Sequence, residues 1–152
     1  MTGPLNFFNY RLIFVDCEGA NLEPWGDWPL REFGAVDYAT RISFYGEDNS
    51  RQTFERFLAW LEEFDTERMV FISDNPAYDW PPIKWYFMKH DLENPFGHSA
   101  RRIGDFYAGL TGDFFNASRW KRLRQTPHDH NPVNDALGNA EAFERMLRGE
   151  RG

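Results

Sequence analysis

Asp16 and Glu18 stand two positions apart at the end of an apolar run, in "IFVDCEG" (13–19). Residues i and i+2 of a strand point to the same face, so these carboxylates are neighbours. Like charges at the end of a buried strand repel, and burial further disfavours ionising both. Two later acids extend the pattern. Asp79 closes "NPAYD" (75–79), and "HNPVND" (130–135) places His130 before a helix start and Asp135 in its first turns. Four converging carboxylates need cations. Hard divalent ions such as Mg²⁺ or Mn²⁺ prefer oxygen ligands. Two of them, roughly 3.5–4 Å apart, activate a water and stabilise the leaving oxygen of a phosphodiester. A histidine beside them can take the water's proton. Taken singly, each piece also has a plain structural use: Asn75 and Asp79 suit a helix start, and Asp135 suits the positive end of its helix.

The elements that would position these groups are legible as alternating apolar runs. Residues 11–16 read as a buried strand, and 21–29 as a loop with two prolines and two tryptophans. Residues 31–39 and 41–46 read as two strands joined in a hairpin. Phe54, Phe57, Leu58, Leu61 and Phe64 recur at helical spacing within 50–64. A second buried strand is expected over 68–73. Asn75-Pro76 suits a helix cap and first residue, but Pro81 and Pro82 predict a kink or a restart. Residues 101–110 are expected to hold a strand. Asn131-Pro132 opens a last helix with an apolar stripe from Val133 to Leu147, and Gly149 suits its end. The order predicts an α/β fold, a mixed sheet covered by helices, in one domain over 1–152.

In this order the motifs resemble those of the DEDDh group of 3′–5′ exonucleases, whose fold is ribonuclease H-like: a mixed β-sheet flanked by α-helices. "FVDCEG" resembles the family's Asp-x-Glu, and "REFGAV" the strand that follows it. "NPAYD" resembles Asn-x-x-aromatic-Asp, and "HNPVNDALGNAEAF" the His-x-x-x-x-Asp motif with its helix. The resemblance covers residues 11–148 and is closer to compact bacterial and phage exoribonuclease-like members than to larger proofreading domains. It implies that Asp16 bridges two metals, that Glu18 and Asp135 complete the site of the ion holding the attacking water, and that Asp79 helps hold the second. It implies His130 as general base. His128 competes, but only His130 has the family's spacing to Asp135. Gly19 stands where many members carry threonine or methionine, and Gly19 and Ala20 would lie against the terminal nucleotide.

The implied activity is metal-dependent hydrolysis, with two Mg²⁺ or Mn²⁺ ions per site, from the 3′ end of single-stranded RNA or short oligoribonucleotides, with single-stranded DNA open. The products would be nucleoside 5′-monophosphates. Competing readings are a nucleic-acid-binding scaffold of the same fold and a hydrolase of dinucleotides or other small phosphodiesters. Trp25 and Trp28 are candidates to stack a base, and Arg119, Lys121 and Arg122 of "SRWKRLR" to form a local basic lip. A net charge of −7 excludes a protein that coats nucleic acid by charge alone. The 18 % aromatic content suffices for a large core and allows a homodimer interface. No apolar run is long enough to predict a membrane span. The first residues lack a secretory pattern, and the single cysteine, Cys17, fits a reducing, cytoplasmic setting.

Overall fold

The computed structural model describes residues 7, 9–20 and 25–152. One five-stranded sheet forms the centre. Its strands are β1 (Tyr10–Glu18), β2 (Glu32–Asp37), β3 (Ser43–Gly46), β4 (Arg68–Ser73) and β5 (Ala100–Arg102), in the order β3-β2-β1-β4-β5. The β1–β2 and β2–β3 pairs are antiparallel; β1–β4 and β4–β5 are parallel. Four helices cover it: α1 (Arg51–Glu62), α2 (Pro76–Lys89), α3 (Ile103–Thr111) and α4 (Pro132–Leu147), with a 3₁₀ turn at Arg119–Leu123.

Leu12, Ile13, Phe14 and Val15 are all buried because the central strand is covered on both faces. Its alternation sorts them into two cores. Ile13, Val15 and Cys17 join Phe54, Phe57, Ile83 and Phe87 from α1 and α2. Leu12 and Phe14 join Ala136, Ala140 and Phe143 from α4. By the same period of two, Asp16 and Glu18 fall on the α4 face. The pleat of β1 therefore decides which helix can meet the acids.

Gly34 explains how close that helix comes. It pairs with Asp16 across β1 and β2. A Cβ there would lie 2.4 Å from the carbonyl carbon of Pro132 and from the Val133 nitrogen. Only glycine lets the first turn of α4 rest on the sheet beside Asp16. Asn131 caps that turn, its side-chain oxygen accepting from the backbone N–H groups of Val133 and Asn134.

The hairpin, α1, β4 and α4 match the sequence expectations. Two segments do not. Helix α2 runs without a restart from Pro76 to Lys89, with Pro81 and Pro82 inside it. The prolines cost early-turn hydrogen bonds, but Pro82, Ile83, Tyr86 and Phe87 are buried and Trp80 packs on Phe71 at 4.8 Å. Tertiary packing outweighs the local penalty. In 101–110 the strand is limited to its first two residues, and α3 begins at Ile103. Ile103, Tyr107 and Ala108 are buried at helical spacing. The loop expected at 21–29 lies partly outside the described residues; 25–30 carry no helix or strand. No helix among the described residues is long and apolar enough to cross a membrane.

Candidate active site

The carboxylates meet at the C-terminal ends of β1 and β4. Ligand-capable oxygens of Asp16, Glu18 and Asp135 lie within 4.8 Å of one another. Asp16 and Glu18 come from β1 and Asp135 from the first turn of α4. Asp79 arrives from the opposite layer, on α2. It is buried, and its Oδ1 accepts a hydrogen bond from the Cys17 backbone N–H at 2.9 Å. The Cys17 thiol donates back to the Asp79 carbonyl at 3.4 Å. Asp79 thus grips the peptide between Asp16 and Glu18.

Two buried oxygens, Asp16 Oδ2 and Asp135 Oδ2, have no hydrogen-bond partner among the described residues. An orphaned carboxylate oxygen is costly. Without a cation, the site relieves its repulsion by holding protons. Burial, then Asp79, Asp135, Glu18 and Asp74, push the Asp16 carboxyl from 3.8 up to about 9. Burial pushes Asp79 up to about 7 despite the Cys17 N–H. Mutually repelling oxygen ligands, two of them buried with unshared lone pairs, fit hard divalent cations.

The raised values set a direction for stability. A proton held more tightly in the folded state favours folding at low pH, and that advantage drains away as pH climbs from about 4 towards 9. The metal-free protein is therefore expected to melt lower at pH 8.5 than at pH 5.5, and Asp16→Asn to flatten that slope. Thermal unfolding in EDTA checks this. An equally steep slope in the variant would remove Asp16 as its source.

The two histidines share this mouth. The His130 side chain is 76 % exposed, and its Nδ1 lies 3.8 Å from Glu18 Oε1. His128 is closer to the acids than its spacing suggested: its Nδ1 is 3.0 Å from Asp135 Oδ1. The structure brings both to the site.

Gly19 leaves β1 with φ +73, and a Cβ there would lie 2.7 Å from Arg31 Cβ. The next residue, Ala20, hydrogen-bonds through its backbone to the Tyr78 hydroxyl. Trp25 is 96 % exposed, whereas Trp28 packs on the core and its carbonyl accepts from the Tyr86 hydroxyl at 2.6 Å. Within the basic run, Lys121 pairs with Asp74 at 3.1 Å. Arg119 turns away to the Gly152 carbonyl, and Arg122 is exposed. Arg124 takes the inward place, donating two hydrogen bonds to the buried Asn139 and lying 3.8 Å from Asp74.

Asp74 carries no motif in the sequence, Gly34 is visible there only within "REFGAV", and Arg124 only as a member of the basic cluster with Arg119, Lys121 and Arg122. Asp74 follows β4 directly, and the parallel Phe14–Ile72 pairing places it two steps on, level with Asp16. A glycine inside a strand-like run was the available signal for Gly34.

No family model matches the chain. It is 30 % identical over 95 residues to a 3′–5′ DNA exonuclease, Cap18, from Escherichia coli, a match covering 58 % of this chain and 51 % of that protein. The match thus spans about half the length of that curated relative. The structure is similar to cell-death related nuclease 4 (CRN-4), with a TM-score of 0.70 over 93 % of this chain and 65 % of that one, at 14 % identity. It is also similar to the nuclease domain of 3′hExo, a DEDDh family member bound to rAMP, with a TM-score of 0.65 over 95 % of both chains, again at 14 % identity. At that identity the structural likeness speaks for the ribonuclease H-like fold. In fold the chain is similar to these nucleases, and over part of its sequence to a 3′–5′ DNA exonuclease.

Proposed function

We propose that the chain hydrolyses single-stranded nucleic acid from its 3′ end, with divalent cations, releasing nucleoside 5′-monophosphates. The observation that carries this reading is the meeting of Asp16, Glu18 and Asp135 with two orphaned buried oxygens. Asp16, Glu18 and Asp135 would hold one Mg²⁺ or Mn²⁺, and Asp16 with Asp79 the second. Such ions would supply an activated water and charge neutralisation at the leaving oxygen. His130, at the exposed rim beside Glu18, takes the proton of the attacking water on its imidazole. Gly19 and Ala20 present backbone to the terminal nucleotide, and Trp25 offers an exposed face for its base.

Among the described residues, none at the site is committed to reading a 2′-hydroxyl. A DNA exonuclease is the sequence relative, and rAMP is bound in one structural neighbour. Both sugars therefore belong in the test, with RNA and short oligoribonucleotides as the favoured substrate of a compact domain. A 5′-labelled single strand of each, incubated with Mg²⁺, Mn²⁺ or EDTA, should shorten stepwise from its 3′ end only with metal. An uncut strand under every metal would refute the exonuclease reading.

The basic segment contributes at the rim. Neutralising Arg119, Lys121 and Arg122 together is expected to raise KM and flatten its salt dependence, with kcat little changed. A wild-type KM and salt response would show that the segment does not meet substrate.

A further inference from the structure

His128, His130 and Asp135 form a second ligand group that overlaps the acidic one. One donor atom from each lies within 4.8 Å of the others. His128 Nδ1 is 3.0 Å from Asp135 Oδ1, and the two imidazole rings are 4.6 Å apart in an edge-on arrangement. Asp135 itself is only 2 % exposed, and its Oδ2 has no partner among the described residues. The histidines are open to solvent, so an ion has a path in.

The turn that carries these histidines is held in place. The Asp129 backbone N–H donates to Asp135 Oδ1 at 3.1 Å. The Asp129 carboxylate accepts from the Asn131 N–H at 3.0 Å and the Asn134 amide at 2.9 Å. These bonds engage Asp129 and wrap the His-Asp-His backbone around Asp135. His130 is in the left-handed region, φ +62, which an ordinary side chain adopts at a cost. The local hydrogen bonds hold it there.

We propose that His128, His130 and Asp135 form an inhibitory site for a borderline-soft divalent ion such as Zn²⁺. Two imidazole nitrogens and one carboxylate with an open fourth position match the tetrahedral preference of Zn²⁺. The all-oxygen group of Asp16, Glu18 and Asp135 lacks the nitrogen donors that favour Zn²⁺ over Mg²⁺. Occupancy would take Asp135 from the Mg²⁺ or Mn²⁺ site and engage the His130 imidazole in the same event. Zn²⁺ binding stands on the ligand geometry alone; inhibition rests on the exonuclease reading.

Binding is tested without substrate, by competition of the full chain with a chromogenic chelator for Zn²⁺. Wild type should take up one Zn²⁺, and His128→Ala should weaken it at least about tenfold, the range seen when even a ligand's supporting partner is lost. Asp16→Asn should retain the affinity. Circular dichroism confirms folding, and exposed His128 is not needed for it. Absence of Zn²⁺ uptake, wild-type affinity in His128→Ala, or equal loss in Asp16→Asn would each overturn the site. In a separate assay at saturating Mg²⁺, Zn²⁺ should inhibit nucleotide release, and His128→Ala should need about tenfold more. Uptake of Zn²⁺ by a chain that cleaves no strand would refute the exonuclease reading and leave the site standing, whereas cleavage indifferent to bound Zn²⁺ would overturn the inhibitory role.

Discussion

Asp16→Asn is expected to abolish nucleotide release while raising the melting temperature of the metal-free protein. The two effects share one cause. Asp16 sits at the centre of the acids, and Asp79, Asp135, Glu18 and Asp74 all oppose its ionisation. Asparagine keeps the shape and stays neutral, so above about pH 4 the apo fold no longer has to protonate this carboxyl or bury it charged against four others. The same change removes the carboxylate proposed to hold both cations. Charge stabilisation of several kcal/mol at the reacting centre corresponds to a loss on the order of 10³-fold or more. Single-turnover kinetics and thermal unfolding in EDTA read the two effects separately. Lost activity with a lowered melting temperature would mean that Asp16 supports the fold and is no burden to it. Retained activity would remove it from the site.

Gly34→Ala is expected to damage catalysis from beneath the site. The new Cβ would meet the Pro132 carbonyl carbon at 2.4 Å, so backbone must move and not merely a side-chain tip. Overpacking of this kind costs about 1–3 kcal/mol. Lifting the first turn of α4 displaces Asp135 from Asp16, and a misplacement near 1 Å can cost about 100-fold in rate. Gly109→Ala is the control. Its Cβ would enter open space on α3, where alanine stabilises by up to about 1 kcal/mol. Equal activity in both variants would show that α4 does not need Gly34 to set the acids.

The acids were legible because their chemistry is conspicuous: carboxylates at the ends of apolar runs, in an order with one good explanation. Helices α1 and α4 were legible from their stripes, and α4 also from Asn131 as its cap. What escaped were features that exist only once the layers close. Pro81 and Pro82 broke a local rule, and burial of Ile83, Tyr86 and Phe87 overrode it. Residues 103–111 hide a helical spacing in a run too short to distinguish from a strand. His128 lacks the expected spacing, yet the turn fixed by Asp129 folds it against Asp135. Arg124 and Lys121 look alike in sequence, but Asn139 draws only Arg124 inward.

Divalent cations are expected to neutralise the clustered carboxylates. Calorimetric titration of metal-free protein with Mn²⁺ near pH 7.5, in buffers of different ionisation heat, tests it most directly. With Asp16 titrating at about 9, binding must displace its proton. The expected result is two Mn²⁺ per chain, release of about one proton, and affinity at least about tenfold weaker in Asp16→Asn. No binding up to millimolar Mn²⁺, or wild-type binding in the variant, would contradict it.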